Sequence, residues 1–124
     1  MRSAQEGALA TAWVEAYRRA WESNDPSDIR ALFTEDAIYR ARPASAPWVG
    51  LEAIVAGWLE HQDAPGSTTF EATVLAVDGD TAVIRCVTGY PMGPKIGTYD
   101  NLWVLRLAGN GRVAEFTDWW IERP

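Results

Sequence analysis

Near the N-terminus, hydrophobic positions return every four residues at Leu9, Trp13, Tyr17 and Trp21, while Glu15, Arg18, Arg19 and Glu22 fall elsewhere. That period predicts an amphipathic helix over 3–22. Asn24-Asp25-Pro26-Ser27 ends it and starts another, since Asp caps a helix and proline suits its first turn. The second helix runs over about 26–33, with Ile29, Leu32 and Phe33 inward. Thr34-Glu35-Asp36 reads as a turn, Ala37 to Arg42 alternates as a short strand, and Pro43 and Pro47 confine the next stretch to a loop. Leu51, Ile54, Val55 and Trp58 form the stripe of a third helix reaching about His61. From Ser67 the pattern turns to strands, at about 67–77, 81–90, 96–107 and 112–121, with hairpin signals at Asp78-Gly79 and Gly109-Asn110-Gly111. Helices followed by an antiparallel meander make an α+β domain, expected to span 1–124 as one unit.

Loop lengths predict the registers. A four-residue turn at 108–111 pairs Leu107 with Arg112, so Trp103 faces Phe116, Asn101 faces Asp118 and Tyr99 faces Trp120. A five-residue loop at 91–95 pairs Tyr90 with Ile96 and places Arg85 opposite Asn101. Opposed residues share a face. Arg85, Asn101 and Asp118 then form a polar row among Val83, Val87, Tyr99, Trp103, Phe116 and Trp120. The other face carries Ile84, Cys86, Tyr90, Leu102, Val104, Val113, Trp119 and Ile121. Three helices cover only one face, so a second copy packed on the outer face, through Ile84, Leu102, Val104 and Trp119, is expected to complete a homodimer.

Composition narrows the function. Seventeen acidic against eleven basic residues give a net charge of −6, which repels phosphate backbones and argues against a nucleic-acid partner. No apolar run reaches the roughly 18 residues of a membrane span, and MRSAQEGALA lacks the basic-then-apolar layout of a signal peptide. The single Cys86 fits a reducing compartment, so a cytoplasmic protein is expected. One histidine and one cysteine cannot build a metal site at useful spacing. His61 suits the favourable end of a helix dipole, and Asp36 suits a turn. Seven tryptophans, four tyrosines and three phenylalanines are a heavy aromatic load, suited to a core and to the walls of an organic-ligand pocket.

The order of elements, with Ser23-Asn24-Asp25, Leu32-Phe33-Thr34-Glu35-Asp36-Ala37, Gly50-Leu51-Glu52-Ala53-Ile54 and Asp118-Trp119-Trp120, resembles the nuclear transport factor 2-like superfamily along nearly the whole chain. The resemblance implies a cone-shaped α+β barrel: three N-terminal helices packed in a curved, mainly antiparallel sheet, with a deep pocket at the wide end. It also offers three catalytic sets for comparison. For ketosteroid isomerases, Tyr17 matches the first-helix tyrosine, but the base falls on Ala41 and the protonated aspartate near Trp103. For limonene epoxide hydrolases, Arg85, Asp118 and Tyr39 match, while the second aspartate is Val87 and the asparagine is Ala41. For SnoaL-like polyketide cyclases, Asp118 is the available acid/base.

These readings converge on a small hydrophobic ligand in an apolar pocket with an Arg85–Asp118 centre. Asp118 is the expected base, Arg85 would tune it, and Tyr39 or Tyr17 would donate to a developing oxyanion. Trp13, Tyr17, Trp58, Tyr99, Asn101, Trp103, Phe116 and Trp120 are the expected ligand-binding residues, and no cofactor or metal is expected. Isomerisation, cyclisation or hydrolysis are the reactions open to such a set. A structural ion pair in a non-catalytic ligand-binding or dimeric accessory module is the alternative.

Overall fold

The computed structural model describes residues 2–60, 69–90 and 97–124, with side chains from Gly7 onward. The expectations for His61, Ser67 and loop 91–95 lie outside them. Helix α1 spans Arg2–Ser23 and α2 spans Pro26–Arg30. Between them Asn24 takes φ 52°, a left-handed turn that asparagine tolerates. The Asp25 side chain accepts from Ser27 N at 2.8 Å, capping α2 with Pro26 in its first turn. Helix α3 spans Leu51–Glu60, and Arg30 of α2 donates twice to its Glu52, at 3.0 and 2.9 Å.

The strands are β1 (Phe33–Arg40), β2 (Trp48–Val49), β3 (Thr69–Asp78), β4 (Thr81–Tyr90), β5 (Gly97–Leu107) and β6 (Val113–Glu122). They form one sheet in the order β2-β1-β6-β5-β4-β3. The meander β3 to β6 is antiparallel, as its hairpin signals predict. Strand β1 pairs parallel with β6, giving a mixed, mainly antiparallel sheet. Three expectations change around β1. The second helix stops at Arg30, the supposed turn Thr34-Glu35-Asp36 is strand, and the Pro43–Pro47 loop leads into the two-residue β2. Leu32 explains the first of these. Its carbonyl accepts from both Val113 N and Trp13 Nε1, at 2.9 Å each, so the chain is drawn to the sheet before a longer helix can form.

Two registers also differ from expectation, with opposite consequences. At the β5–β6 hairpin Leu107 pairs with Val113, one residue further than predicted, and a bulge beyond it adds one more. Two one-residue shifts restore the facing, so Asn101, Trp103, Phe116, Asp118 and Trp120 stay on one face. Between β4 and β5 there is a single shift: Tyr90 pairs with Gly97, Cys86 with Asn101 and Arg85 with Leu102. A single shift inverts the strand. Ile84, Cys86, Thr88 and Tyr90 therefore share the inner face, and Val83, Arg85 and Val87 the outer one.

The helices pack on the inner face around Trp13. Its ring meets Phe33, Trp103 and Phe116 at centroid distances of 6.0, 6.2 and 6.0 Å. Ile29, Leu32, Phe33, Ile54, Ile84 and Phe116 are fully buried around it.

Candidate functional site

Along the inner face, side chains stand in tiers set by the register. The floor is Trp13, Trp103 and Phe116, all nearly or fully buried. Trp13 spends its indole N–H on Leu32, which makes it part of the core. Trp58 is likewise buried, donates to Asn24 Oδ1 at 3.3 Å, and touches Tyr17 at 5.1 Å between rings.

Above the floor lies a polar tier. The Thr88 hydroxyl donates to Asn101 Oδ1 at 3.0 Å. That bond turns the amide nitrogen of Asn101 toward Asp118, where it lies 3.2 Å from each carboxylate oxygen. Burial raises the Asp118 carboxyl to about 6, against the opposite pull of Asn101 and Trp103. The Trp103 indole stands directly across the strand pair from Asp118. Its N–H favours the Asp118 anion, yet it is buried and closes no hydrogen bond of normal geometry.

Two phenols complete the tier. Tyr17 lies 4.4 Å from the Trp103 ring, and Tyr39 stacks on Phe116 at 4.5 Å and 13°. Burial pushes both hydroxyls well above the ordinary tyrosine value, and the nearby Asp118 charge pushes further. Their mutual influence runs in opposite directions, raising the Tyr17 hydroxyl further and lowering that of Tyr39. Both phenols are therefore neutral donors throughout the physiological range, beside a carboxylate that titrates within reach of it.

The outermost tier is Tyr99 and Trp120, half-buried, with rings 5.6 Å apart edge to face. Tyr90 meets Tyr99 the same way, also at 5.6 Å.

The structure thus brings together Asp118, Asn101, Tyr17, Tyr39, Trp103, Phe116, Tyr99 and Trp120. It does not bring in Arg85. The inverted β4 points Arg85 outward, where its side chain is 59% exposed and lies 3.8 Å from Asp100. Asp100 in turn takes two bonds from Arg123, at 2.8 and 2.9 Å. The expected Arg85–Asp118 centre is therefore corrected to Thr88–Asn101–Asp118, whose pKa rises by desolvation where an arginine would have lowered it. The same inversion removes Ile84, fully buried, from the outer face, and brings Cys86 inside. There burial keeps its thiol protonated. Among the described residues no group of three or more histidine, cysteine, aspartate or glutamate side chains is arranged to hold a metal.

Residues the sequence did not single out also matter. Thr88 was hidden by the β4 register. Trp48 stacks on Tyr39 at 4.9 Å and 14°, and Gly57 of α3 makes room for it: a Cβ there would lie 2.5–2.7 Å from the indole.

A profile of the SnoaL-like domain matches residues 14–116. Among solved structures, a candidate ketosteroid isomerase from Kribbella flavida is similar with TM-score 0.71 and 21% identity, over 98% of this chain and 82% of that one. An LEH-like epoxide hydrolase of M. tuberculosis gives TM-score 0.69 at 17% identity, over 98% and 86%. A candidate polyketide cyclase from Sinorhizobium meliloti gives 0.63 at 23% identity, over 86% and 93%. At these identities the likeness establishes the nuclear transport factor 2-like fold. No curated protein sequence matches the chain.

Proposed function

The chain belongs to the SnoaL-like domain family, and from that membership and its inner face we propose a small-molecule enzyme whose own side chains carry acid–base chemistry, with Asp118 as the proton carrier. One observation carries the reading: a half-buried carboxyl raised to about 6, beside two phenols held neutral. Such a carboxylate is largely ionised at neutral pH, yet basic enough to take a proton from carbon next to a carbonyl. A phenol hydrogen bond to the carbonyl oxygen stabilises the enolate that forms. Returning the proton to another carbon completes an isomerisation; attack of the enolate on a second carbonyl completes a cyclisation. Hydrolysis is the weaker reading, because Arg85, the arginine of the hydrolase set, faces away from Asp118. The aromatic floor and outer tier favour a flat, hydrophobic substrate.

The test is hydrogen–deuterium exchange at the α-carbon of 2-tetralone in D2O, followed by NMR. The wild-type chain is expected to accelerate exchange, with a rate that rises with pH through about 6 and then levels. Asp118→Asn should lose at least about a hundredfold of that acceleration. Undiminished exchange in the variant would remove Asp118 as base, and no acceleration by the wild type would favour a non-catalytic binding module.

The outer face supports the homodimer in reduced form. Leu102 and Trp119 are direct cross-strand partners, 39% and 53% exposed, and Ile121 beside them is 72% exposed. No described helix covers them, and a second copy of the sheet supplies an apolar partner of matching twist. The assembly is expected in sedimentation, and Trp119→Asp should convert it to monomer. A wild-type monomer at micromolar concentration would dismiss the pairing. A cytoplasmic location remains an expectation from the lone cysteine; no described helix is long and apolar enough to cross a membrane.

A further inference from the structure

Arg42 sits in the loop after β1, at the same end of the sheet as Tyr99 and Trp120, and its guanidinium lies 4.7 Å from the Trp120 ring centroid. Trp120 belongs to the inner face, two residues beyond Asp118 on β6, a Cα step of about 7 Å. The guanidinium is exposed and, among the described residues, has no carboxylate or carbonyl partner. Arg18 shows the contrast. Its guanidinium lies over Phe70 at 4.5 Å, but it also donates to the Phe70 carbonyl at 3.0 Å and approaches Glu15 at 3.9 Å. Arg30, Arg106 and Arg123 are likewise engaged by carboxylates. Arg42 is held in place by an aromatic face that consumes none of its five N–H donors. A planar fork of unspent donors, presented at the edge of an apolar, aromatic surface, is matched by a carboxylate. In a chain of net charge −6, a cation kept free at this edge also offsets the general repulsion of an anion.

Building on the reading of Asp118 as the proton carrier, we propose that the substrate is an organic acid: a flat apolar body lies along Trp120 and Tyr99, its carboxylate is taken by Arg42, and its reacting carbon reaches Asp118. The spacing sets the size. From Asp118 past the Trp120 ring to the Arg42 fork is on the order of 10 Å, about two fused rings plus a short acidic arm.

Isothermal titration of the full chain with 2-naphthylacetate and with its neutral isostere 2-naphthylacetamide tests this. The acid should bind about tenfold tighter than the amide at low salt, with the gap narrowing as salt is raised. Arg42→Gln should bring the acid down to the affinity of the amide while leaving the amide unchanged, and Arg42→Lys should keep part of the preference. Equal binding of acid and amide to the wild type, or a preference that survives Arg42→Gln, overturns the proposal. Either result leaves the Asp118 reading standing on the exchange assay. Failure of both probes to bind at millimolar concentration overturns the proposal together with the view of this face as a ligand site.

Discussion

Asp118→Asn is expected to make the protein more stable at neutral pH and no more stable at pH 4. Burial raises this carboxyl from 3.8 to about 6, so the folded state binds a proton more tightly than the unfolded chain. The linkage sign follows: below pH 4 both states are protonated and nothing is lost. As pH rises from about 4 through 6 the unfolded state ionises first, and folding loses stability. Above about 6 the loss is complete and constant. A shift of about two units corresponds to about 3 kcal/mol at most, and the half-buried position reduces this to about 1–2 kcal/mol. Asparagine keeps the shape, and its carbonyl oxygen still accepts from Asn101, whose orientation Thr88 maintains. Urea unfolding of both proteins at pH 4 and pH 7.5 checks the claim, because pH effects of the other carboxylates cancel in the difference. An equal difference at the two pH values would mean that Asp118 is not desolvated as described. A gain in stability joined to a loss of exchange activity is the signature of a carboxylate kept for its chemistry.

How far the sequence reached this site depended on parity. The alternation of β5 and β6 placed Asn101, Trp103, Asp118 and Trp120 together, although the hairpin turn is longer than predicted and is followed by a bulge. Two shifts of one residue leave the side chains beyond the bulge on their expected face, while Val113, between the shifts, turns inward and is fully buried. One shift does not, and the connection from Tyr90 to Gly97 contains one residue more than a five-residue loop. That single residue moved Arg85 to the outer face and Thr88 to the inner one. No local pattern signals the error, because β4 is apolar on both faces: Val83 and Val87 alternate with Ile84 and Cys86. A strand hydrophobic on both sides carries no register information of its own. The parallel pairing of β1 with β6 was beyond reach for a different reason. It depends on contacts such as Leu32 with Val113, far apart in sequence, which no periodicity reports.

Gly57→Ala is expected to destabilise the fold by about 1–3 kcal/mol, against the gain of roughly 1 kcal/mol that the same change brings in an open helix. The reason is a ring. Gly57 is buried in α3, and an added methyl would lie 2.5–2.7 Å from Cε2, Cδ2 and Cζ2 of Trp48. A rigid indole cannot yield there as a flexible chain end would. It must tilt, and it stacks on Tyr39, which stacks on Phe116. The strain therefore reaches a phenol that feels both Tyr17 and the Asp118 charge. It also reaches loop 41–47, whose far end Trp48 anchors and whose near end carries Arg42. Denaturant unfolding of Gly57→Ala, Trp48→Ala and the double variant separates the terms. With the indole gone the alanine should cost nothing, so the cycle should show a coupling of more than about 1 kcal/mol. Additive effects, or a Gly57→Ala protein more stable than wild type, would mean that Trp48 is not seated against α3. In the exchange assay Gly57→Ala should slow turnover more than Trp119→Asp does, because only the first displaces the Tyr39 stack while Asp118 itself is untouched.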